Sequence, residues 1–152
     1  MRLLILGGSG MLGHQLYRSL KIKHKVWATL RRPITDYSSH KLFDHSRTIQ
    51  VHDITALETL SKVLDQSQPE AVLNCVGIIK QLNQVKNKTL TQKVNSEFPH
   101  HLAEQCEKLG TRLIHFSTDC VFSGLKGNYL EEDPADATDI YGKTKHLGEV
   151  TD

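Results

Sequence analysis

The chain has 152 residues, one domain's worth, and its 38% hydrophobic and 24% charged residues exclude a disordered or fibrous protein. Nineteen basic against seventeen acidic residues leave a formal charge of +2, too small to point to a nucleic acid or a membrane surface. Cys75, Cys106 and Cys120 are odd in number and form no C-x-x-C, so neither a disulfide framework nor a metal site is indicated and a reducing, cytoplasmic setting fits best.

No apolar run approaches the roughly 20 residues of a membrane span, and the opening Met1 to Leu6 meets glycine too soon for a secretory signal. Leu3-Leu4-Ile5-Leu6, stopped by Gly7-Gly8, reads as a strand buried on both faces of a parallel sheet. Met11, Leu12, Leu16 and Leu20 then recur at helical spacing, and Lys25 to Leu30 is a second strand closed by Arg31-Arg32-Pro33. Residues 33 to 48 are polar without period and are expected to form a loop. Ile49-Gln50-Val51 is a short third strand, and Leu57, Leu60, Val63 and Leu64 mark a helix after Asp53.

Ala71 to Gly77 is the fourth strand. Val94, Phe98, Leu102, Cys106 and Leu109 define an amphipathic helix closed by Gly110, with Pro99 marking either a kink or a first turn. Leu113 to Ser117 is the fifth strand, and a last helix starts at Tyr141. Strands alternating with helices predict an α/β fold, a doubly wound, Rossmann-like parallel sheet, with no domain boundary inside 1–152.

Between the first strand and helix, Gly7-Gly8-Ser9-Gly10-Met11-Leu12-Gly13 satisfies both G-x-G-x-x-G and G-x-x-G-x-x-G. Glycines there allow a tight turn and close backbone approach to a pyrophosphate, and the helix N-terminus supplies N–H donors and positive partial charge. Arg31 and Arg32 stand after the second strand, where arginine accommodates the 2′-phosphate of NADP and an acidic residue would hold the ribose of NAD; NADP(H) is therefore expected, with Asp36 keeping NAD(H) open.

Tyr141 and Lys145 are four residues apart and share a helix face. A lysine ammonium beside a phenol favours the phenolate, which equips tyrosine for proton transfer. Ser117-Thr118-Asp119, at the carboxyl end of the fifth strand, adds a hydroxyl for a substrate carbonyl, where ligands of open parallel sheets bind.

The run Ser117-Thr118-Asp119-Cys120-Val121-Phe122-Ser123-Gly124, then Gly127-Asn128-Tyr129, Glu131-Glu132-Asp133-Pro134 and Tyr141-Gly142-Lys143-Thr144-Lys145 with Gly148-Glu149, resembles the dTDP-4-dehydrorhamnose reductase family of extended short-chain dehydrogenases. The likeness runs from Met1 to Glu149. It implies reduction of a keto group on a nucleotide-linked deoxysugar, with Thr118, Tyr141 and Lys145 catalytic. It also implies Gly7, Gly10, Met11, Leu12 and Gly13 along the pyrophosphate, Asp53 and Ile54 at the adenine, and Asn74, Cys75, Val76 and Gly77 on the ribose side, with Tyr141 and Lys145 reaching the nicotinamide ribose. Asn95 matches a helix asparagine that supports the lysine in related enzymes, or is an ordinary polar residue beside an apolar stripe.

Cys120 stands where the family usually carries an aromatic residue, and Asn74 to Lys80 replaces a small-residue run, which points to a branch acting on another sugar, such as an N-acetylated UDP-sugar. Lys80, Lys86 and Lys88 make the following loop basic, as a solvated loop or as a diphosphate contact. Family members continue past the Tyr-x-x-x-Lys helix into a sixth strand and a sugar-gripping part, whereas this chain stops at Asp152. Weak or no turnover, an exposed sheet edge and self-association are thus expected. The competing expectation is a non-catalytic nucleotide-binding subunit resembling the methionine adenosyltransferase beta subunit. A nucleic-acid role is set aside, since no aromatic-basic platform appears.

Overall fold

In a computed structural model, which describes residues 1–40 and 42–150, the elements follow in the order β1 (Arg2–Leu6), α1 (Met11–Leu20), β2 (Lys25–Leu30), β3 (Thr48–Gln50), α2 (Leu57–Ser67) and β4 (Ala71–Asn74). A continuous helical run then comprises α3 (Lys88–Gln92), a π turn (Lys93–Glu97) and α4 (Phe98–Lys108), followed by β5 (Arg112–His115) and α5 (Ile140–Leu147). The strands form one parallel sheet in the order β3-β2-β1-β4-β5. The chain runs from β1 outward through β2 and β3 and then crosses to β4 and β5 on the other side of β1, the strand order of a doubly wound sheet. Leu6 is in register with Asn74, and Asn74 with His115, so β1, β4 and β5 end level.

The chain divides into two compact units, Met1–Val76 with Leu102–His115, and Gly77–His101 with the residues from Phe116 on. The sheet unit has an apolar core. Leu4, Ile5 and Leu6 are fully buried, as a strand covered on both faces requires, and α2 contributes the stripe Leu60, Val63 and Leu64. In α1 the helical periodicity misleads: Met11 is 87% exposed, and the large side chain that goes inside is Tyr17. The Tyr17 ring packs against Phe43 with centroids 4.9 Å apart, and its hydroxyl accepts the Asp44 N–H at 3.0 Å.

The expected loop at 33 to 48 contains two 3₁₀ turns, Ile34–His40 and His45–Arg47, the second capped by Asp44 through the Ser46 N–H; Lys41 lies outside the described residues, as do Thr151 and Asp152. β3 pairs from Thr48, one residue early, although Val51 extends the contact by donating its N–H to Leu30. β4 ends at Asn74 rather than Gly77 because the Asn74 side chain captures the Val76 N–H and turns the chain away. β5 is Arg112–His115, displaced by one to two residues from its expected span, and as the edge strand it leaves Ile114 38% exposed.

The second unit is built differently. Its buried set mixes Ile78, Phe98 and Val121 with the polar Thr91, Asn95, Ser96, Thr144 and Lys145. Pro99 neither ends nor breaks the helical run; it has no N–H to give to the Asn95 carbonyl, and the preceding turn widens so that the Phe98 N–H reaches Lys93. Gly148 packs on that Asn95 carbonyl so closely that a Cβ would collide with it. No helix among the described residues is long and apolar enough to cross a membrane.

The apolar core makes Leu4, 0% exposed between β2 and β4, the sensitive position of the sheet. Leu4→Ala is expected to lower the unfolding free energy by about 3 kcal/mol, read from the shift of a urea transition.

Candidate functional site

In the sheet unit the glycine loop forms a tight cradle at the end of β1. Gly7 takes φ 80°, a left-handed conformation, and its carbonyl accepts the Gly10 N–H at 3.0 Å. The loop is tied to β2 by the Gly7 N–H on Thr29 Oγ1 at 3.0 Å and the Gly8 N–H on the Thr29 carbonyl at 2.9 Å. A Cβ at Gly13 would strike the Gly7 carbonyl, which is the close helix–strand approach that the spacing predicts. Cys75 and Val76 come up against the same turn, within 3.1 to 3.3 Å of where a Gly7 Cβ would stand.

Helix α1 starts at Met11 behind Gly10, with no side-chain cap and no acidic residue in its first turn. The first-turn N–H groups of Met11, Leu12 and Gly13 have no intrahelical acceptor, so the turn presents donors and a positive dipole end. The exposure of Met11 and Leu12 leaves this end open, and an anion fits it without rearrangement of side chains.

Arg31 and Arg32 follow directly on β2, both exposed and with no ion-pair partner among the described residues. Asp53 and Ile54 follow β3; Asp53 Oδ1 accepts the Thr55 N–H at 2.9 Å and the Thr55 hydroxyl, an arrangement that fixes the approach to α2. Asn74 is buried, and its amide bridges Val76 N–H and His115 Nδ1 at 3.1 Å each, so its polar atoms serve the level ends of β4 and β5. Burial pushes the Cys75 thiol up to about 12, which leaves it an inert, half-buried lining residue.

In the second unit, α5 carries Tyr141 and Lys145 and packs against the segment that contains Thr118. Asp139 caps the helix through the Gly142 N–H at 2.9 Å, which sets Tyr141 in the first turn and Lys145 one turn on. Lys145 is buried, and its ammonium donates to the Phe116 carbonyl at 2.7 Å. Gly142 packs against the Cys120 carbonyl with no room for a Cβ. The segment carrying Thr118 is therefore held against α5 at both ends. Desolvation holds Lys145 below the ordinary lysine range, against a smaller upward pull from Glu149.

The two hydroxyls of this segment have different commitments. Ser117 Oγ donates to Glu149 Oε1 at 2.5 Å, and Glu149 Oε2 pairs with His146 at 3.0 Å. Thr118 Oγ1 accepts the Cys120 N–H at 3.2 Å and donates to Asp119 Oδ1 at 3.3 Å. The Thr118 hydroxyl is thus committed through longer bonds than the Ser117 hydroxyl. A cavity of about 630 Å³ opens from Thr118 over Asp119, Phe122, Tyr129, Glu131 and Glu149, and the Phe122 and Tyr129 rings on its wall are stacked at 4.4 Å.

Asn95 anchors this unit. Its Oδ1 accepts the Ile78 N–H at 2.8 Å, and its Nδ2 donates to the Ile78 carbonyl at 2.9 Å and to Thr144 Oγ1 at 3.3 Å. Ser96 adds a bond to the Thr144 carbonyl at 2.9 Å. Asn95 thus bonds to Thr144, the chain neighbour of Lys145. Sequence reasoning did not single out Asp139 or assign Lys80 a partner; Lys80 pairs with Asp139 at 2.8 Å rather than standing in a merely solvated loop. An aspartate just before a helix start was the available signal for Asp139.

A family model described as the RmlD substrate binding domain matches residues 1–151. The chain is similar to a dTDP-4-dehydrorhamnose reductase of Streptomyces griseus, 32% identical over 97% of this chain and 43% of that protein. It is similar to another from Burkholderia thailandensis, 28% identical over 99% and 45%. The methionine adenosyltransferase 2 subunit beta of Bos taurus is 28% identical over 97% of this chain and 41% of its own length. Among solved structures, a hypothetical dTDP-4-dehydrorhamnose reductase from Sulfolobus tokodaii has a TM-score of 0.82 at 29% identity, covering 97% of this chain and 50% of that one. A Bacillus anthracis dTDP-4-dehydrorhamnose reductase in complex with NADP has a TM-score of 0.75 at 25% identity, covering 97% and 47%. The chain spans about half the length of the curated relatives it matches.

Asn95→Ala is expected to cost about 2–3 kcal/mol of stability, because the Ile78 N–H and carbonyl lose their buried partner; chemical denaturation reads it. A second expectation concerns Lys145. Between its lowered value and the ordinary lysine range the unfolded chain binds the extra proton, so wild-type stability rises with pH there relative to Lys145→Met. Urea midpoints of both proteins, compared from neutral to alkaline pH, check the sign.

Proposed function

The chain belongs to the RmlD substrate-binding-domain family, and from that premise we propose that residues 1–152 are the NAD(P)-binding part of a reductase acting on a keto group of a nucleotide-linked deoxysugar. The observation that carries this reading is the α5 arrangement: a capped helix holds Tyr141 and a buried Lys145 one turn apart, and the segment that bears Thr118 is tied to that helix on either side of it, by Lys145 on the Phe116 carbonyl and Gly142 on the Cys120 carbonyl. The uncapped start of α1 behind the glycine cradle supports the nucleotide half of the proposal, since it fits a pyrophosphate without a competing side chain.

When bound, the dihydronicotinamide supplies the hydride. Thr118 Oγ donates a hydrogen bond to the substrate carbonyl oxygen and orients it. Tyr141 Oη delivers the proton to that oxygen as it becomes an alcohol. Lys145 places a cation one turn from Tyr141 and supports the phenolate left behind, and it contacts the ribose. Met11, Leu12 and Gly13 N–H groups hold the pyrophosphate, with Asp53 and Ile54 on the adenine side and Cys75, Val76 and Gly77 lining the ribose. Asn74 shapes that lining through its two bonds. Asp119, Glu131 and Glu149 make the cavity beside Thr118 acidic, which suits the hydroxyls of a sugar and repels a diphosphate.

Exposed Arg31 and Arg32 favour NADP(H), with NAD(H) as the alternative. The reading places the protein in the cytoplasm in polysaccharide biosynthesis. A second reading, a regulatory nucleotide-binding subunit, draws support from the likeness to the methionine adenosyltransferase 2 subunit beta of Bos taurus.

Fluorescence titration should give tighter binding of NADPH than NADH. Replacing Arg31 and Arg32 together by Ala should weaken NADPH about tenfold and leave NADH unchanged; tighter NADH binding by the wild type would remove the argument. Tyr141→Phe should lower kcat for a keto nucleotide sugar by about 10²-fold or more while retaining cofactor. Cofactor binding with no turnover in any length of the protein would favour the regulatory reading.

A further inference from the structure

Resting on the reductase reading, we propose that Lys80 is a positioning residue for Tyr141, held against the tyrosine ring by Asp139. The Lys80 ammonium lies 5.8 Å from the Tyr141 ring centroid and 2.8 Å from Asp139 Oδ2. Asp139 Oδ1 meanwhile accepts the Gly142 N–H at 2.9 Å as the cap of α5. One carboxylate therefore fixes the helix that presents Tyr141 and the cation that sits on its ring.

An exposed ion pair ordinarily fixes little, because two long side chains must be ordered to make it. Here much of that ordering is already done. Asp139 is immobilised by the cap, and the Lys80 backbone starts two residues from Ile78, whose N–H and carbonyl are both clamped by the buried Asn95. The shared hydrogen bond also holds Asp139 below the usual carboxylate range and Lys80 above the usual lysine range. The Cys120 sulfur is a further neighbour of the ammonium, and Gly142 rests on the Cys120 carbonyl.

Tyr141 thus has two lysines with separate duties. Lys145, on its own helix, is buried and tied to the Phe116 carbonyl, whereas Lys80 comes from another segment and stays about half exposed, 44% at its side chain. A cation on an aromatic face is attracted to the ring's negative quadrupole, so Lys80 restricts where the ring lies and which way the phenol oxygen is aimed. The acidic groups around this cation are Asp139 on the cap and the Cys120 thiol on the facing segment.

The test is made on the 152-residue chain, with ¹³Cζ-labelled tyrosine and the Tyr141 resonance assigned by Tyr141→Phe. Lys80→Met is expected to displace and broaden that resonance, Lys80→Arg to restore it, and Asp139→Asn, which can keep the cap but not the charge, to mimic Lys80→Met. Thr144 and Gly148 amide shifts, which report the Asn95 anchor, should stay in place. In turnover of a keto nucleotide sugar, Lys80→Met should reduce kcat about tenfold with KM little changed, and Lys80→Arg should recover most of it. A Tyr141 resonance unmoved in Lys80→Met, or an Arg variant that behaves like Met, overturns the proposal. Absence of turnover in every length of the wild-type protein would instead count against the reductase reading, since the resonance is read without any reaction.

Discussion

A single buried amide carries the second unit. Asn95 sits in a turn that Pro99 prevents from closing as an ordinary α-helix, and its side chain supplies both the donor and the acceptor that the Ile78 backbone lacks. The same amide reaches Thr144, and the Asn95 carbonyl is the surface on which Gly148 packs. The entry of the Lys80 segment and the later part of α5 are thereby referred to one residue. A polar anchor of this kind specifies position better than an apolar contact would, because each bond has a direction and an unmet partner is costly in a buried site.

The sheet unit solves its positioning problem chiefly with apolar packing, to which the buried Thr29 and Asn74 add directed bonds. Four apolar residues in a row make β1 a strand that is stable only when covered on both faces, and parallel pairing of β1 with β4 and of β4 with β5 then sets the ends of those three strands level. On leaving β1 the backbone must turn at once into a helix that lies close over the strand. Gly7 and Gly13 answer those two demands, the first by conformation and the second by leaving no side chain between helix and strand. The helix N-terminus is left without a cap as a result, and its unmatched donors are the chemical feature that the unit offers to an anion.

Functional groups in the second unit are shared out by economy of partners. Glu149 takes Ser117 and His146, Asp139 takes Gly142 and Lys80, and Phe116 takes Lys145. Thr118 is left with weak commitments. Two adjacent hydroxyls of the same strand exit therefore differ in availability for a reason that lies outside their own local sequence.

By itself the sequence determined the alternation of strands and helices, the glycine turn after β1, the place of Tyr141 and Lys145 on one helix face, and the family. These are local properties: periodicity, turn chemistry and residue spacing act within a few residues. It misjudged what depends on distant partners. Met11 and Leu12 fit an apolar stripe yet stand in the open, because the first turn of α1 lies beyond the covered part of β1. Asn74 ends β4 three residues early because its amide finds Val76 and His115. Pro99 left two outcomes open, and packing by Gly148 accompanies a third, a widened turn in an unbroken run. Only the tertiary structure decided that Lys145 is buried, that Lys80 is paired over Tyr141, and that Ser117 is bound more tightly than Thr118, since burial and hydrogen-bond partnership are settled by residues far apart in the chain.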